Sequence, residues 1–235
     1  EQAIQMVGRD LYETLIKGYT EKQWGRSCKD LPSRIIKRIP LRFTYDNNYY
    51  HDTYQGLPRT GYTSWISNML GETDIELGLD YFDIPGGYKS ISEQVIFTGR
   101  IDEYYECCYG ELEYRTLEFR EETLNVVNFQ GNAIINYTQR EIPYTRIIEH
   151  KHFKKQPSSM SIITKEYPAE WKNGQEPYYP IRDPGNIALY NKYLEHANSD
   201  ANVRFGGRLG LYQYLDMDQT IYEAMRLANC LAKLQ

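Results

Sequence analysis

The residues best suited to chemistry are arginines set among tyrosines, prolines and glycines. Arg38 ends a cationic, proline-bounded segment, Leu31-Pro32-Ser33-Arg34-Ile35-Ile36-Lys37-Arg38. Arg146 follows Pro143-Tyr144-Thr145, and Arg182 follows Pro177-Tyr178-Tyr179-Pro180-Ile181. Arg208 lies inside Gly206-Gly207-Arg208-Leu209-Gly210, upstream of Tyr212, Tyr214, Leu215, Asp216, Met217 and Asp218. A guanidinium is a planar fork that matches phosphate oxygens, and a phenol adds a donor beside it. Trp24 and Tyr19 offer faces on which a flat ring can stack. Together they point to a site for a diphosphate-linked, ring-bearing ligand. The competing account is surface pairing with the 32 acidic residues, which is the commoner fate of any single arginine.

Other chemistries are poorly supplied. The four histidines are His51, His150, His152 and His196. His150 and His152 have strand spacing, but no carboxylate or cysteine completes a metal site, so none is expected. The cysteines Cys28, Cys107, Cys108 and Cys230 match no zinc spacing and read as reduced thiols of a cytosolic protein. There is no Gly-x-Ser-x-Gly nucleophile turn. A net charge of -5 argues against a general nucleic-acid binder. No apolar run approaches the ~18 residues that span a bilayer, so no membrane insertion is expected.

These side chains need elements to position them. Hydrophobic spacing at Ile4, Val7, Leu11 and Leu15 predicts a first helix over Ala3–Lys17, ended by Gly18, with a turn around Thr20–Gly25. Another helix opens at Gly61-Tyr62-Thr63-Ser64. Asp74–Phe82 and Gln94–Thr98 read as strands around a Pro85-Gly86-Gly87 turn. Glu113–Arg120, Asn132–Tyr137, Thr145–Glu149 and Ser161–Tyr167 read as an antiparallel sheet. Ala188–Ala197 is helical. A strand over Ala201–Phe205 then leads through the glycine-rich crossing to a helix over Thr220–Leu234, with Ile221, Ala224, Met225, Ala228 and Leu231 inward. Tyrosine, with 23 copies, suits either such a sheet or a ligand surface. The fold class is α+β, and a start at Glu1 in helical register suggests a piece of a longer polypeptide.

Five stretches then resemble one family in order and along nearly the whole chain. They are Lys17-Gly18-Tyr19-Thr20-Glu21-Lys22-Gln23-Trp24-Gly25, Leu41-Arg42-Phe43-Thr44-Tyr45-Asp46-Asn47-Asn48-Tyr49 and Ile142-Pro143-Tyr144-Thr145-Arg146-Ile147. Pro177–Arg182 and Gly207–Asp218 complete the set. The chain resembles the C-terminal two-thirds of bacterial UDP-galactopyranose mutases, without their N-terminal Gly-x-Gly-x-x-Gly turn. The resemblance implies a helical substrate domain over 1–72 with a mobile loop near 31–41, and an antiparallel sheet domain over 111–199. Residues 73–110 and 200–235 would be remnant strands and the C-terminal helix of a Rossmann-like FAD domain.

The resemblance also implies an isomerase that interconverts UDP-galactopyranose and UDP-galactofuranose. By that resemblance N5 of reduced FAD would attack the sugar C1 and displace UDP, leaving a flavin–sugar adduct. Arg38, Arg146, Tyr214 and Asp216 would lie closest to the chemistry. Tyr19, Thr20 and Trp24 would surround the uridine and sugar, with Leu15 where relatives often carry phenylalanine. Tyr49, Tyr179 and Tyr214 would hydrogen-bond the phosphates, with Asn136 and Glu166 nearby. Arg208, Leu215, Asp216 and Met217 would lie against the flavin. Without the glycine turn, which seats a pyrophosphate on a helix N-terminus, FAD binding by this chain alone is expected to be weak and the chain inactive alone. The full-length protein would be a cytoplasmic homodimer that makes galactofuranose donors for surface polysaccharide. The alternative is a non-catalytic module that binds a nucleotide-sugar or glycan.

Overall fold

The computed structural model describes residues 2–31, 44–45, 50, 52–154 and 157–233. The predicted loop from residue 32 onward, with Arg38, and also Tyr49 and His51, lie outside them. The chain divides into two compact units, residues 1–38 with 96–235, and residues 39–95.

The first unit opens with helix α1 (Gln2–Val7), interrupted at Gly8, whose φ of 80° is open to glycine. A short α2 (Arg9–Leu11) passes into a π-helical turn over Tyr12–Lys17 and on into α3 (Gly18–Trp24). Gly18 therefore does not end the helix, and Thr20–Trp24 is not a turn. The stop is Gly25, left-handed at φ 65°, whose N–H returns to Glu21 O. Gly18 serves a different need. A Cβ there would stand 2.3 Å from the Thr138 carbonyl oxygen, so glycine lets helix and loop touch. The interruptions also dissolve the predicted single stripe: Ala3 and Ile16 are buried, whereas Leu11 and Leu15 are half-exposed.

Runs of Ile, Thr, Tyr and Phe build one antiparallel sheet in the order β3-β4-β5-β2-β6. Its strands are β2 (Tyr114–Leu124), β3 (Ile134–Asn136), β4 (Arg146–Glu149), β5 (Ser161–Glu170) and β6 (Tyr179–Pro180). The first four were legible in sequence; the two-residue β6 was not. At the end of β4, Glu149 is fully buried. It accepts from Ser161 Oγ, from Phe129 N at 3.0 Å and from Gln130 N at 2.8 Å, and so ties the loop before β3 to the sheet. His152 Nε2 lies 3.1 Å from Glu149 Oε2, and His150 Nε2 lies 2.7 Å from Thr164 Oγ1. The two histidines do not share a strand face, because α6 (Lys151–Lys154) begins between them.

The core gathers Ile101 of α5 (Ile101–Tyr104), Leu112, Tyr114, Tyr212, and Tyr190, Tyr193 and Ala197 of α7 (Pro184–Asn198). Four tyrosines are thus spent inside, and two of them, Tyr193 and Tyr212, bond backbone carbonyls through their hydroxyls. Tyr193 Oη donates to Gly110 O at 2.7 Å. Tyr212 Oη lies 2.7 Å from both Glu113 O and Ile181 O.

The strand β1 (Val95–Phe97) pairs with β7 (Val203–Phe205). The glycine-rich crossing becomes a short helix α8 (Gly207–Gly210). Its glycines serve packing within the chain: a Cβ on Gly207 would meet Thr98 at 3.3 Å, and one on Gly210 would meet Phe97 O at 3.0 Å. Helix α9 (Met217–Ala232) starts with a capping box made by Asp216 and Gln219, which satisfies orphan N–H groups at its first turn. Its predicted inner face is corrected by the structure. Ala224, Met225 and Ala228 are exposed, Ile221 and Leu231 are half-buried, and Leu227 lies beside Gly206.

In the second unit, α4 (Tyr62–Leu70) follows Gly61. Asp74–Phe82 is not a strand. Gly78 takes φ 73°, and Asp80 caps a 3-10 turn over Tyr81–Asp83 by accepting from Phe82 N at 2.9 Å. The Pro85-Gly86-Gly87 turn forms, with Gly87 N bonded to Ile84 O, and a second 3-10 turn over Tyr88–Ser90 follows it.

Mixed helices and an antiparallel sheet make the class α+β, as expected.

Candidate functional site

Three strands bring three of the sequence-selected residues side by side. Asn136 on β3 stands opposite Arg146 on β4, which stands opposite Glu166 on β5. Directly opposed residues share a face, so the three form one polar row. Arg146 Nε donates to Asn136 Oδ1 at 3.2 Å and lies 3.7 Å from Glu166 Oε2. Its Nη2 reaches Tyr19 Oη on α3 at 3.5 Å.

The other wall is aromatic. Trp24, at the end of α3, lies 6.3 Å between ring centroids from Tyr179 on β6. Tyr179 stacks on Tyr214 at 5.4 Å and 19°. Arg208 of α8 covers the opposite partner of that stack, 4.3 Å above Tyr214, and donates to Tyr178 O at 2.7 Å. Tyr19, Asn136, Arg146 and Glu166 form one linked set and Trp24, Tyr179, Tyr214 and Arg208 a second, and the two are coupled where Tyr179 interacts electrostatically with Arg146 and Glu166.

The electrostatics suit an anion. Burial alone would weaken the Arg146 charge, but Tyr19, Glu166 and Tyr179 around it hold its pKa above the ordinary arginine value. Burial raises the Glu166 carboxyl, and Arg146 only partly opposes that. Burial, with Tyr214 and Glu166 nearby, pushes Tyr179 up to about 12, so it is a neutral donor at physiological pH. The site can fix one positive charge, offer phenolic donors around it and hold flat rings. Among the described residues no group of His, Cys, Asp and Glu is arranged to hold a metal ion.

Six further sequence-selected residues fall among the described ones. Thr20 is buried on α3 and Leu15 is half-exposed on the π-helical turn. Leu215 is half-buried, Asp216 caps α9, and Met217 begins that helix and is exposed. Arg182 donates to the Tyr212 carbonyl and braces the backbone ahead of Tyr214. Arg38 and Tyr49 are outside the described residues.

Three residues of structural weight escaped the sequence. Arg115 on β2 stands opposite Tyr179, donates Nε to Gln23 O at 3.1 Å and packs its guanidinium against Gly25. A cavity of about 390 Å³ is lined there by Trp24, Arg26, Arg115, Glu170, Trp171 and Lys172. Arg26 pairs with Glu113 and Asp183 and so joins the end of α3 to the start of α7. Lys22 reaches into the β3–β4 connection. The one available signal was an arginine inside a strand pattern at 115; the partners of Arg26 and Lys22 lie 87 or more residues away.

Known proteins share most of this sequence. The family model described as UDP-galactopyranose mutase matches residues 14–214. The chain is 44% identical over 230 residues to a protein of Klebsiella pneumoniae named probable UDP-galactopyranose mutase, covering 97% of this chain and 59% of that one. It is 39% identical over 239 residues to the dTDP-fucopyranose mutase of Escherichia coli, covering 99% and 63%. It is 31% identical over 230 residues to the UDP-galactopyranose mutase of Mycoplasma pneumoniae, covering 90% and 57%. The chain thus spans about three-fifths of the length of these relatives. The family model covers most of the chain, and on that evidence the chain belongs to the UDP-galactopyranose mutase family.

Proposed function

We propose that the intact protein is an isomerase that interconverts UDP-galactopyranose and UDP-galactofuranose, and that this chain supplies the pocket for the nucleotide-sugar. The observation that carries the reading is Arg146, a charge fixed by Tyr19, Asn136 and Glu166 beside the stacked Tyr179 and Tyr214. A diphosphate placed there meets a fork of N–H donors and neutral phenols. Trp24 and Tyr19 offer faces to the uracil or the sugar. Arg38 and Tyr49 are assigned to the same diphosphate by the family resemblance. On this reading the domains are a substrate-binding one over 1–72, a sheet domain over 111–199 and a cofactor domain over 73–110 with 200–235.

The donor set at the other end fits a flavin in its chemistry. Arg208 has five N–H donors, of which one is directed to Tyr178 O. Half-buried Leu215 and exposed Met217 add apolar surface shortly after it in the chain. Arg208, Leu215, Asp216 and Met217 would hold that edge of the cofactor. Reduced flavin, when bound, supplies the electron pair that the sugar's anomeric carbon accepts. The chain's own work is to hold the sugar in line and to neutralise the departing diphosphate with Arg146 and the tyrosines.

The test is conversion of UDP-galactopyranose by the intact protein with reduced FAD, followed by chromatography of the two ring forms. A parallel run with dTDP-fucopyranose is warranted by the Escherichia coli relative and by the aliphatic Leu15 at the base end. Binding of UDP without conversion of either sugar would leave a binding module.

A further inference from the structure

The two sides of the site come from distant parts of the chain, and little joins them directly. Tyr19 is on α3 and Arg146 opens β4; their own contact is 3.5 Å, at the outer limit of a hydrogen bond. The strong link is one helical turn away. Lys22 Nζ donates to Tyr137 O at 2.7 Å, to Ile142 O at 3.0 Å and to Tyr144 O at 3.0 Å. An ammonium has three N–H donors, and each has an acceptor here.

Those acceptors are well placed to transmit position. Tyr137 follows the last residue of β3, and its N–H bonds Thr145 O at 2.9 Å. Tyr144 stands two residues before Arg146. The ammonium therefore closes the connection 137–145 at both ends and fastens it to the helix that carries Tyr19. Gly18, pressed on Thr138 O, lets the helix come that close. Burial lowers the Lys22 pKa and nearby Glu141 opposes that, while the three carbonyl oxygens stand in for the water an exposed ammonium would hold.

We infer that Lys22 is a positioning residue, which sets the separation of Tyr19 and Arg146 and so the affinity for the diphosphate without touching substrate. The inference rests on the proposed nucleotide-sugar site. It is tested by a double-mutant cycle in the intact protein, with UDP affinity measured by calorimetry for Lys22→Met, Arg146→Ala and the pair. Lys22→Met is expected to weaken UDP binding about tenfold in the parent, and less than about twofold once Arg146 is absent. An equal loss in both backgrounds, or no loss in the parent, overturns it. A merely stabilising role lowers the melting temperature and gives that equal loss. If Lys22→Met does not fold, Lys22→Gln, which keeps two N–H donors, carries the same cycle. UDP affinity unchanged by Arg146→Ala alone would overturn the nucleotide-sugar site, and this inference with it.

Discussion

Arg146 and Glu166 face each other from neighbouring strands, with Nε and Oε2 3.7 Å apart, and Glu166 is almost fully buried. A carboxylate beside the proposed diphosphate is an electrostatic opponent of the ligand. Burial keeps its pKa raised and Arg146 only partly counters this. Protonation of Glu166 removes the opposing charge, so UDP-galactose should bind more tightly as pH falls through the raised pKa. Glu166→Gln should bind a few-fold more tightly at neutral pH and lose most of that pH dependence. Calorimetric titrations at several pH values measure both effects.

Arg146→Lys keeps the charge and removes the fork. Its N–H groups radiate from one nitrogen, so it cannot meet Asn136 and Tyr19 from separate nitrogens and also pair with a phosphate bidentately. The expected loss in UDP-sugar affinity is about tenfold or more, with little change in melting temperature. An affinity within about twofold of the parent would remove Arg146 from the diphosphate site.

Replacing a helical glycine by alanine ordinarily stabilises by up to ~1 kcal/mol. At Gly18 the sign should reverse. The new methyl would stand 2.3 Å from the Thr138 carbonyl oxygen, which is backbone and cannot rotate away. Thermal unfolding of Gly18→Ala should show a loss of about 1–3 kcal/mol.

Glu149 supplies an acid-sensitive anchor. Burial raises its pKa, but Ser161, Phe129 N, Gln130 N and His152 together lower it to about 2, from the usual 4.5. A depressed carboxylate contributes stability above 4.5 that is lost as pH falls toward 2. Glu149→Gln should therefore cost about 3 kcal/mol at pH 7 and about half that or less at pH 3. Melting curves of both proteins at the two pH values make the comparison. A penalty independent of pH would mean that the charge itself contributes little.

Local pattern carried the sheet a long way. Tyr114–Leu124, Arg146–Glu149 and Ser161–Glu170 are runs of β-branched and aromatic residues between polar turns, and they fold as such. Among the described residues Asp74–Phe82 joins no strand, because Asp80 and Gly78 offer it turns instead. Gly18 was misread because a glycine that stops a helix and one that admits a neighbour look alike in sequence. The neighbour, Thr138, is 120 residues away. At the site, residue types revealed the arginines and tyrosines. Their arrangement depends on which residue of β3 faces which of β4 and β5, a pairing across distance that no local spacing encodes. The glycines near Arg208 illustrate the same limit, since their close approach is to Thr98 and Phe97.

The opposed placement of Asn136, Arg146 and Glu166 imposes a parity rule on this chain. Side chains alternate between faces, so a slip of one residue between β3 and β4 would turn Asn136 away from Arg146. The connection 137–145 therefore cannot gain or lose a single residue harmlessly unless a bulge absorbs it. The carbonyls that Lys22 grips are spaced along that connection, so the lysine in effect checks its length. Insertions elsewhere on the surface should be tolerated far more readily than one residue here.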